Sequence, residues 1–216
     1  ANTLEVILFH SVIILQKAQI YGVFVTIHVL VEIRPMHKIK IILQHEDFLI
    51  ISKPPGISFH QEHGGVGLFS YLRQDLGDVR LFSVHRLDKI TSGLLIIAKN
   101  KQSAQSFSRM FQEKNIEKYY LAISDRKPSK KQGLICGDMG PSRRGMWKLF
   151  KSKKSPATTQ FFSTSLGSGR RLYLLKPHTG KTHQIRVAMK SIGAPVLGDP
   201  LYYKSSSSSQ DSACLH

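Results

Sequence analysis

Short apolar runs alternate with short polar segments along most of the chain after residue 36, a spacing typical of strands joined by tight turns. Residues 41–43 and 48–51 are apolar and flank a polar segment at 44–47, so they predict a strand, a turn and a second strand. The Lys-Pro-Pro-Gly sequence at 53–56 ends the second strand, because proline lacks the N–H that a sheet needs. The first predicted unit is therefore a β-hairpin.

The rest of the chain combines strand patterns with helical patterns. Residues 94–98 are continuously apolar and predict a buried strand, and apolar side chains then recur at helical spacing between residues 104 and 111. Further strands are predicted at 118–123 and 171–175, and a second helical pattern runs from Ile185 to Ile192 before Gly193. Because strands and helices do not alternate regularly, we expect an α+β fold with a mixed, mostly antiparallel central sheet flanked by helices.

The pattern also suggests where the folded domain begins and ends. Residues 1–35 carry few charges and show no clear period, so they are an uninterpreted N-terminal extension, and residues 36–204 are expected to form one domain. Residues 205–216 are a Ser-rich tail or a truncated end of that domain. Polar residues such as His10, Lys17 and His28 interrupt the apolar N-terminal stretch, so we expect neither a membrane span nor a signal peptide.

The charge of the chain points to a polyanionic partner. The 31 Lys and Arg residues outnumber the 14 Asp and Glu residues, giving a formal net charge of +17 and a pI of about 10.0. A surface of this kind attracts phosphate groups over a long range. Nucleic acid is therefore the favoured partner, with a merely basic protein as the alternative.

The excess charge is concentrated in one segment, residues 126–154, which contains ten basic residues and a single acid, Asp138. Trp147 and Phe150 lie among these charges, which include the adjacent residues Arg143 and Arg144. Basic residues interleaved with aromatic rings suit RNA, because phosphates take the charges and unstacked bases take the rings. From the residues alone, a solvated loop remains the alternative.

The cysteine content bears on the cellular compartment. Cys136 and Cys214 are far apart in the sequence and form neither a CxxC unit nor a disulfide framework. We therefore expect a reducing, cytoplasmic environment.

Two polar clusters carry the candidate chemistry. The first, residues 84–93, leads directly into the predicted strand at residue 94, so its carboxylate, Asp88, is expected to be partly desolvated and to need a charged partner. The second, residues 179–186, places Arg186 one turn into the following helix, where it could supply that partner. Taken separately, each segment could equally be an ordinary turn or helix cap.

The first cluster also carries a family resemblance. Residues 85–94, with the sequence His-Arg-Leu-Asp-Lys-Ile-Thr-Ser-Gly-Leu, resemble the HRLDxxTSGL signature of the RluA-type pseudouridine synthase family. Four other segments resemble motifs of that family, in its order: 53–56 (KPxG), 118–122 (KxYLA), 177–186 (PxTGRTHQxR) and 198–202 (GDxLY). The resemblance covers residues 39–203.

The resemblance implies a uridine isomerase that acts on RNA with no cofactor and no metal. It assigns to Asp88 the role of nucleophile at C1′ or of base at C2′, and it leaves the choice open. It implies that Tyr120 lies against the flipped base, that Arg186 pairs with Asp88, and that Arg86 fills the gap left by the base or binds its phosphate. Lys53 is expected to support the site. Further candidates for contacting RNA are His85, Thr91, Lys181, His183, Arg143 and Arg144.

Some questions stay open at this stage. A catalytically inactive RNA-binding protein on the same fold would share the charge and the pocket, and an RNA hydrolase could use His85 and His183 as acid and base. The RNA could be ribosomal or transfer RNA, because loops that read local RNA shape decide the target. The chain is expected to act as a monomer.

Overall fold

The computed structural model describes residues 13–20, 23–30, 39–59, 67–77, 80–204 and 213–216 of the chain. Most of the expected N-terminal extension and residues 205–212 of the expected Ser-rich tail lie outside the described residues. Two paired strands nevertheless occur within the region 1–35, where the sequence pattern predicted no element.

The described residues form strands and three helices. In chain order the strands are β1 (Ile13–Ile20), β2 (Val23–Leu30), β3 (Lys40–Gln44), β4 (Phe48–Lys53), β5 (Phe82–Ser83), β6 (Gly93–Ala98), β7 (Tyr120–Ser124), β8 (Gln132–Gly137), β9 (Met139–Pro141), β10 (Trp147–Leu149), β11 (Ala157–Gly167) and β12 (Arg170–Pro177). The helices are α1 (Leu68–Leu76), α2 (Lys101–Gln112) and α3 (Gln184–Ser191).

The first four-stranded sheet has the strand order β3-β4-β6-β5 and is antiparallel throughout. Every residue of β4 and β6 is buried, because successive side chains point to opposite faces and each face has a cover. On one face Leu49 and Leu95 join a core that includes Leu68 and Leu72 of α1. On the other face Ile50 and its neighbours pack in a core with α2.

The second four-stranded sheet has the order β7-β12-β11-β8 and is also antiparallel. Its inner face, which includes Phe161 and Leu175, packs in one core with Ile185 and Met189 of α3. Its outer face leaves Phe162 exposed, as the alternation of side chains requires.

Residues 213–216 lie beyond the domain limit expected at residue 204, and they pack against the second sheet. Leu121 and His216 exchange backbone hydrogen bonds of 2.7 and 2.9 Å, and Leu215 is buried in the core with α3. The segment therefore forms a short antiparallel extension beside β7.

The α+β class with mostly antiparallel strands is confirmed. The described strands divide into two four-stranded sheets and two small hairpins, β1–β2 and β9–β10, where the sequence pattern led us to expect one central sheet. The predicted elements at β3, β4, β6, α2, β7, β12 and α3 are all present. Within the described ranges, no helix is long and apolar enough to cross a bilayer.

Candidate active site

Asp88 lies in the connection between β5 and β6, at the edge of the first sheet. Leu87 is buried in the core beside it, and the Thr91 N–H donates to the carbonyl of Asp88 at 3.0 Å, which closes a tight turn. The Asp88 side chain is 19% exposed. Because its neighbours are held by the core and by the turn, the carboxylate is presented to solvent in a defined place.

The loop after β4 supports this turn from below. Lys53 is fully buried, and its Nζ donates to the carbonyls of Pro54, Ile57 and Lys89 at 2.9, 3.0 and 3.2 Å. The Gly56 N–H donates to the same Lys89 carbonyl at 2.8 Å, and Gly56 has a φ of 87°, which favours glycine. Burial lowers the pKa of Lys53 to about 8, and the charge of Asp88 opposes that shift. The supporting role predicted for Lys53 is confirmed by these contacts.

Arg186 reaches Asp88 from the second sheet, as predicted. It lies in the first turn of α3, its side chain is 4% exposed, and its Nη1 is 3.4 Å from Oδ2 of Asp88. Its shorter contacts go elsewhere, since Nε and Nη2 donate to the two oxygens of Asp199 at 2.7 and 2.9 Å. The structure thus joins Asp88, Arg186 and Asp199 in one network.

Tyr120 begins β7, and its ring packs against the cores of both sheets. Burial raises the pKa of its hydroxyl, and the negative charge of Asp88 adds to the shift. The hydroxyl is therefore protonated at neutral pH. Tyr120 is absent from the described walls of the cleft beside Asp88.

The network opens into a cleft of about 260 Å³ between the two sheets. Its walls include Phe59, Arg86, Asp88, His183, Arg186 and Leu201. Arg86 is exposed at the rim, and Lys89 is also part of the wall, so cationic groups surround the one carboxylate. Such a cleft suits an anionic ligand with a planar group, because charge and apolar surface alternate along it.

His183 closes one side of the cleft. It precedes α3 with a φ of 55°, a left-handed conformation that is uncommon for a residue other than glycine. Its Nδ1 is 2.9 Å from the hydroxyl of Tyr202, and that hydroxyl accepts a hydrogen bond of 2.7 Å from the backbone N–H of Trp147. Burial, followed by the charge of Arg186, lowers the pKa of His183. The turn end of the β9–β10 hairpin is thereby tied to the cleft wall.

Two predicted contact residues lie away from the cleft. His85 accepts a hydrogen bond of 3.0 Å from the Ile96 N–H through Nε2, and its ring lies 4.7 Å from that of Phe111. Burial lowers the pKa of His85 to about 3, so the ring is neutral and cannot share acid–base work with His183 in a hydrolase. Thr91 is 2% exposed and serves the turn.

The other predicted RNA contacts lie on the basic segment or beside it. Arg143 and Arg144 are exposed at the tip of the β9–β10 hairpin. Lys181 is exposed in the loop before α3, and its Nζ donates to the hydroxyl of Ser155 at 3.1 Å. None of these three cations is among the described walls of the cleft.

Asp199 and Tyr202 were not predicted to have a role. Both belong to the Gly-Asp-Pro-Leu-Tyr turn at 198–202, which resembled a family motif and otherwise looked like a surface turn. The resemblance drew attention to the turn, but it did not assign a role to its acid or its tyrosine. Asp199 is only 1% exposed and contacts Arg186 of α3. No residue near this turn in the sequence indicates that contact.

One other group of polar residues could hold a cation. His45, Glu46 and Asp47 present ligand atoms within 4.8 Å of one another in the β3–β4 turn, at the opposite end of β4 from Lys53. Two of these residues already serve the turn, since the Asp47 N–H donates to Nδ1 of His45 and Asp47 Oδ1 accepts from Asn100. The group is separate from the cleft.

The fold and the cleft together define a domain that presents one carboxylate to a polyanion. Comparisons with known proteins give the family. The model of the RNA pseudouridylate synthase family matches residues 47–191. A protein of Haemophilus influenzae named as an uncharacterized RNA pseudouridine synthase is 54% identical over 167 residues, covering 77% of this chain and 75% of its own.

More distant relatives agree. Ribosomal large subunit pseudouridine synthase D of Nitrosomonas europaea is 34% identical, over 78% of this chain and 51% of its own. The chain thus spans three quarters of the first relative and about half of the second. The solved structure of human RNA Pseudouridylate Synthase Domain Containing 1 has a TM-score of 0.69 at 28% identity and covers 85% of this chain and 79% of its own. The chain belongs to the RNA pseudouridylate synthase family, and the RluA-type resemblance of its motifs is confirmed.

Proposed function

We propose that this chain converts a uridine of RNA into pseudouridine and that Asp88 is the group that acts on the ribose. The observation that carries the proposal is the position of Asp88, which is the only carboxylate among the described walls of a cationic cleft and lies beside Arg186. The reaction breaks the N1–C1′ bond, turns the uracil and forms a C5–C1′ bond, while C5 loses its hydrogen and N1 gains one, so every heavy atom of the product comes from the substrate.

An ionised carboxylate serves either of the two first steps that the family resemblance implies. As a nucleophile it bonds to C1′ while the N1–C1′ electron pair leaves with the uracil, and as a base it takes the proton from C2′. Both steps need an unprotonated oxygen that faces the ribose. Tyr120, protonated at neutral pH, is suited to packing against the base and to hydrogen bonding, and poorly suited to acting as a phenolate.

The RNA is bound by the cations around the cleft and on the β9–β10 hairpin. Arg86 at the rim is placed to contact a phosphate or to fill the gap left by the extruded nucleotide. Arg143, Arg144 and Lys181 extend the positive surface away from the cleft. Contacts to flanking nucleotides offset the few kcal/mol that unstacking a base costs.

We propose large-subunit ribosomal RNA as the substrate to test first. The support is that two relatives, 34% and 32% identical to this chain, are named as ribosomal large subunit pseudouridine synthases. Ribosomal and transfer RNA transcripts labelled at uridine C5 would be compared at equal concentration. Faster turnover of transfer RNA would contradict this choice and leave the isomerase proposal intact.

The decisive experiment measures tritium release from RNA labelled at uridine C5, because the new carbon bond must expel that hydrogen. We expect release by the native chain and none above the no-enzyme level for Asp88→Asn. Asp125→Asn is the matched control, since it removes the same charge from an exposed residue, and it should release tritium at the native rate. Tight RNA binding without release by the native chain would contradict the proposal and indicate an inactive RNA-binding protein.

We also propose that the chain works as a monomer in a reducing, cytoplasmic compartment. The support is that one chain supplies all the described walls of the cleft and that Cys136 and Cys214 are free thiols. Light scattering at the concentrations of the activity assay tests the first part, and a dimer mass would contradict it.

A further inference from the structure

Asp199 is the most deeply buried carboxylate of the described residues, with 1% exposure. Its two oxygens accept four hydrogen bonds. Oδ1 accepts from the backbone N–H groups of Leu201 and Tyr202 at 2.9 and 3.1 Å and from Nη2 of Arg186 at 2.9 Å, and Oδ2 accepts from Nε of Arg186 at 2.7 Å. A buried carboxylate that accepts this many hydrogen bonds is fixed in place.

The contacts of Arg186 are divided unequally between its two acidic neighbours. The bonds to Asp199 have the lengths of charge-assisted bonds and use the planar fork of the guanidinium, whereas the single approach to Asp88 is 3.4 Å from Nη1 to Oδ2. The ring of Tyr202 lies 5.0 Å from the guanidinium carbon and covers one of its faces. Arg186 is therefore held chiefly by the turn at 198–202.

This division leaves Asp88 largely available. Among the described residues, none donates a hydrogen bond to Oδ1 of Asp88, and Oδ2 has only the long contact with Arg186. If Asp199 were absent, the guanidinium fork could turn and bind both oxygens of Asp88, as arginine commonly binds a carboxylate. A carboxylate held in that way presents no oxygen to the ribose.

We propose that Asp199 is a positioning residue for the isomerisation: it binds the fork and balances the charge of Arg186, so that Arg186 orients Asp88 through one nitrogen and leaves the second oxygen of Asp88 to the substrate. The proposal rests on the proposed function and adds a third member to the Asp88–Arg186 pair.

The first test is kinetic and compares Asp199→Asn with Asp125→Asn, which removes the same charge at an exposed position. For Asp199→Asn we expect kcat to fall about 10- to 100-fold, because a misplaced group of this kind costs that much, while KM for RNA changes less than about threefold. The acidic limb of its pH–rate profile should move to lower pH, because an unbalanced positive charge then faces the reacting carboxylate. Native kcat and an unmoved limb in Asp199→Asn would overturn the proposal.

The second test does not depend on that variant folding well. If Asp199 balances Arg186, then Asp88→Asn should lower the thermal midpoint by less than about 3 °C. Asp199→Asn should lower it by about 10 °C or prevent folding, because the buried guanidinium then loses its two short hydrogen bonds to a carboxylate. Equal losses in the two variants would show that Arg186 depends as much on Asp88 and would overturn the proposal.

Asp199→Glu separates positioning from stability. It keeps the charge and moves it by one methylene, so we expect the thermal midpoint to stay within about 5 °C of the native value while kcat falls about tenfold. A stable glutamate variant with native kcat would contradict the positioning role. If the native chain released no tritium, the proposed function would fail, and the comparison of thermal midpoints would still test the partner of Arg186.

Discussion

His85 shows at the residue scale how a side chain in a catalytic motif can serve the fold. It lies three residues before Asp88, yet its Nε2 accepts the backbone N–H of Ile96 at 3.0 Å. That bond requires an unprotonated Nε2, and burial lowers the pKa of the ring to about 3. The imidazole therefore fixes the start of the Asp88 loop to β6 as a neutral group.

This role predicts a dependence of stability on pH. The folded pKa lies below the unfolded value of about 6.5, so between those two values the unfolded state binds more protons and the free energy of unfolding falls as pH falls. We expect a loss of up to about 1.4 kcal/mol per pH unit from this residue below about pH 6.5. Burial also lowers the pKa of His216 to about 4, so His216 adds to the loss of stability as pH falls.

Urea unfolding at pH 7, 6 and 5 measures the effect. His85→Gln, which keeps an acceptor for Ile96 and cannot be protonated, should show a shallower slope of stability against pH than the native chain. His178→Gln at an exposed position is the control. Identical slopes for the native chain and His85→Gln would show that His85 does not cause the pH dependence of stability.

The β9–β10 hairpin is the element that extends the cationic surface beyond the cleft. Trp147, next to the turn of this hairpin, is joined to the candidate active site through Tyr202, whereas Arg143 and Arg144 within the turn are exposed. Exposed cations on an anchored turn suit the phosphates of flanking RNA, because phosphate contacts need charge and little geometric precision.

Neutralising the tip should weaken RNA binding and leave the chemistry intact. For Arg143→Gln with Arg144→Gln, we expect the slope of log K against log salt to decrease by about 0.7 for each lost contact with single-stranded RNA, with kcat at saturating RNA within about twofold. Filter binding across a salt series and tritium release measure the two quantities. Lys101→Gln with Arg109→Gln removes two exposed charges from α2 and should change neither. A fall in kcat at saturation would place the arginines in the chemistry instead.

At the scale of the whole molecule, the active site lies where the two sheets meet. Asp88 comes from the first sheet and Arg186 from the helix that covers the second, while Tyr120 packs against both cores. Residues 213–216 connect the second sheet to the Asp88 loop. Leu215 is buried in the core of the second sheet, and its carbonyl accepts a hydrogen bond from the N–H of Ser92, four residues after Asp88. The relative position of the sheets therefore sets the distance between Asp88 and Arg186.

This arrangement makes Leu215 important for stability. We expect Leu215→Ala to reduce the free energy of unfolding by about 2 to 5 kcal/mol, because it opens a cavity in a closed core. Leu134→Ala, at a leucine that is 61% exposed, is the control and should change stability by less than about 0.5 kcal/mol. Chemical denaturation of both variants measures the difference, and equal small losses would mean that the segment contributes little to the core.

The sequence alone was informative wherever the signal is local. The apolar runs of β4 and β6 and the helical spacing of α2 are set by neighbouring residues, and they predicted those elements. The motifs containing Asp88 and Arg186 indicated both the chemistry and the ion pair, since a carboxylate in a partly buried loop needs a cation. Strands β8 to β11, rich in polar residues and glycine, carry a weaker pattern and were missed.

Tertiary structure alone decided the arrangement of these parts. The division into two sheets depends on pairings between strands that are far apart in the chain. The pattern of apolar residues indicates the strands but not their partners, so it is equally compatible with one sheet or two. The motif around Asp199 did not indicate its partner, because Arg186 is 13 residues away on α3 and the burial of Asp199 comes from packing around the turn. The sequence by itself determined which residues could react. Only the fold decided which carboxylate binds Arg186, because that choice depends on a small difference in distance: the guanidinium is 2.7 Å from Asp199 and 3.4 Å from Asp88.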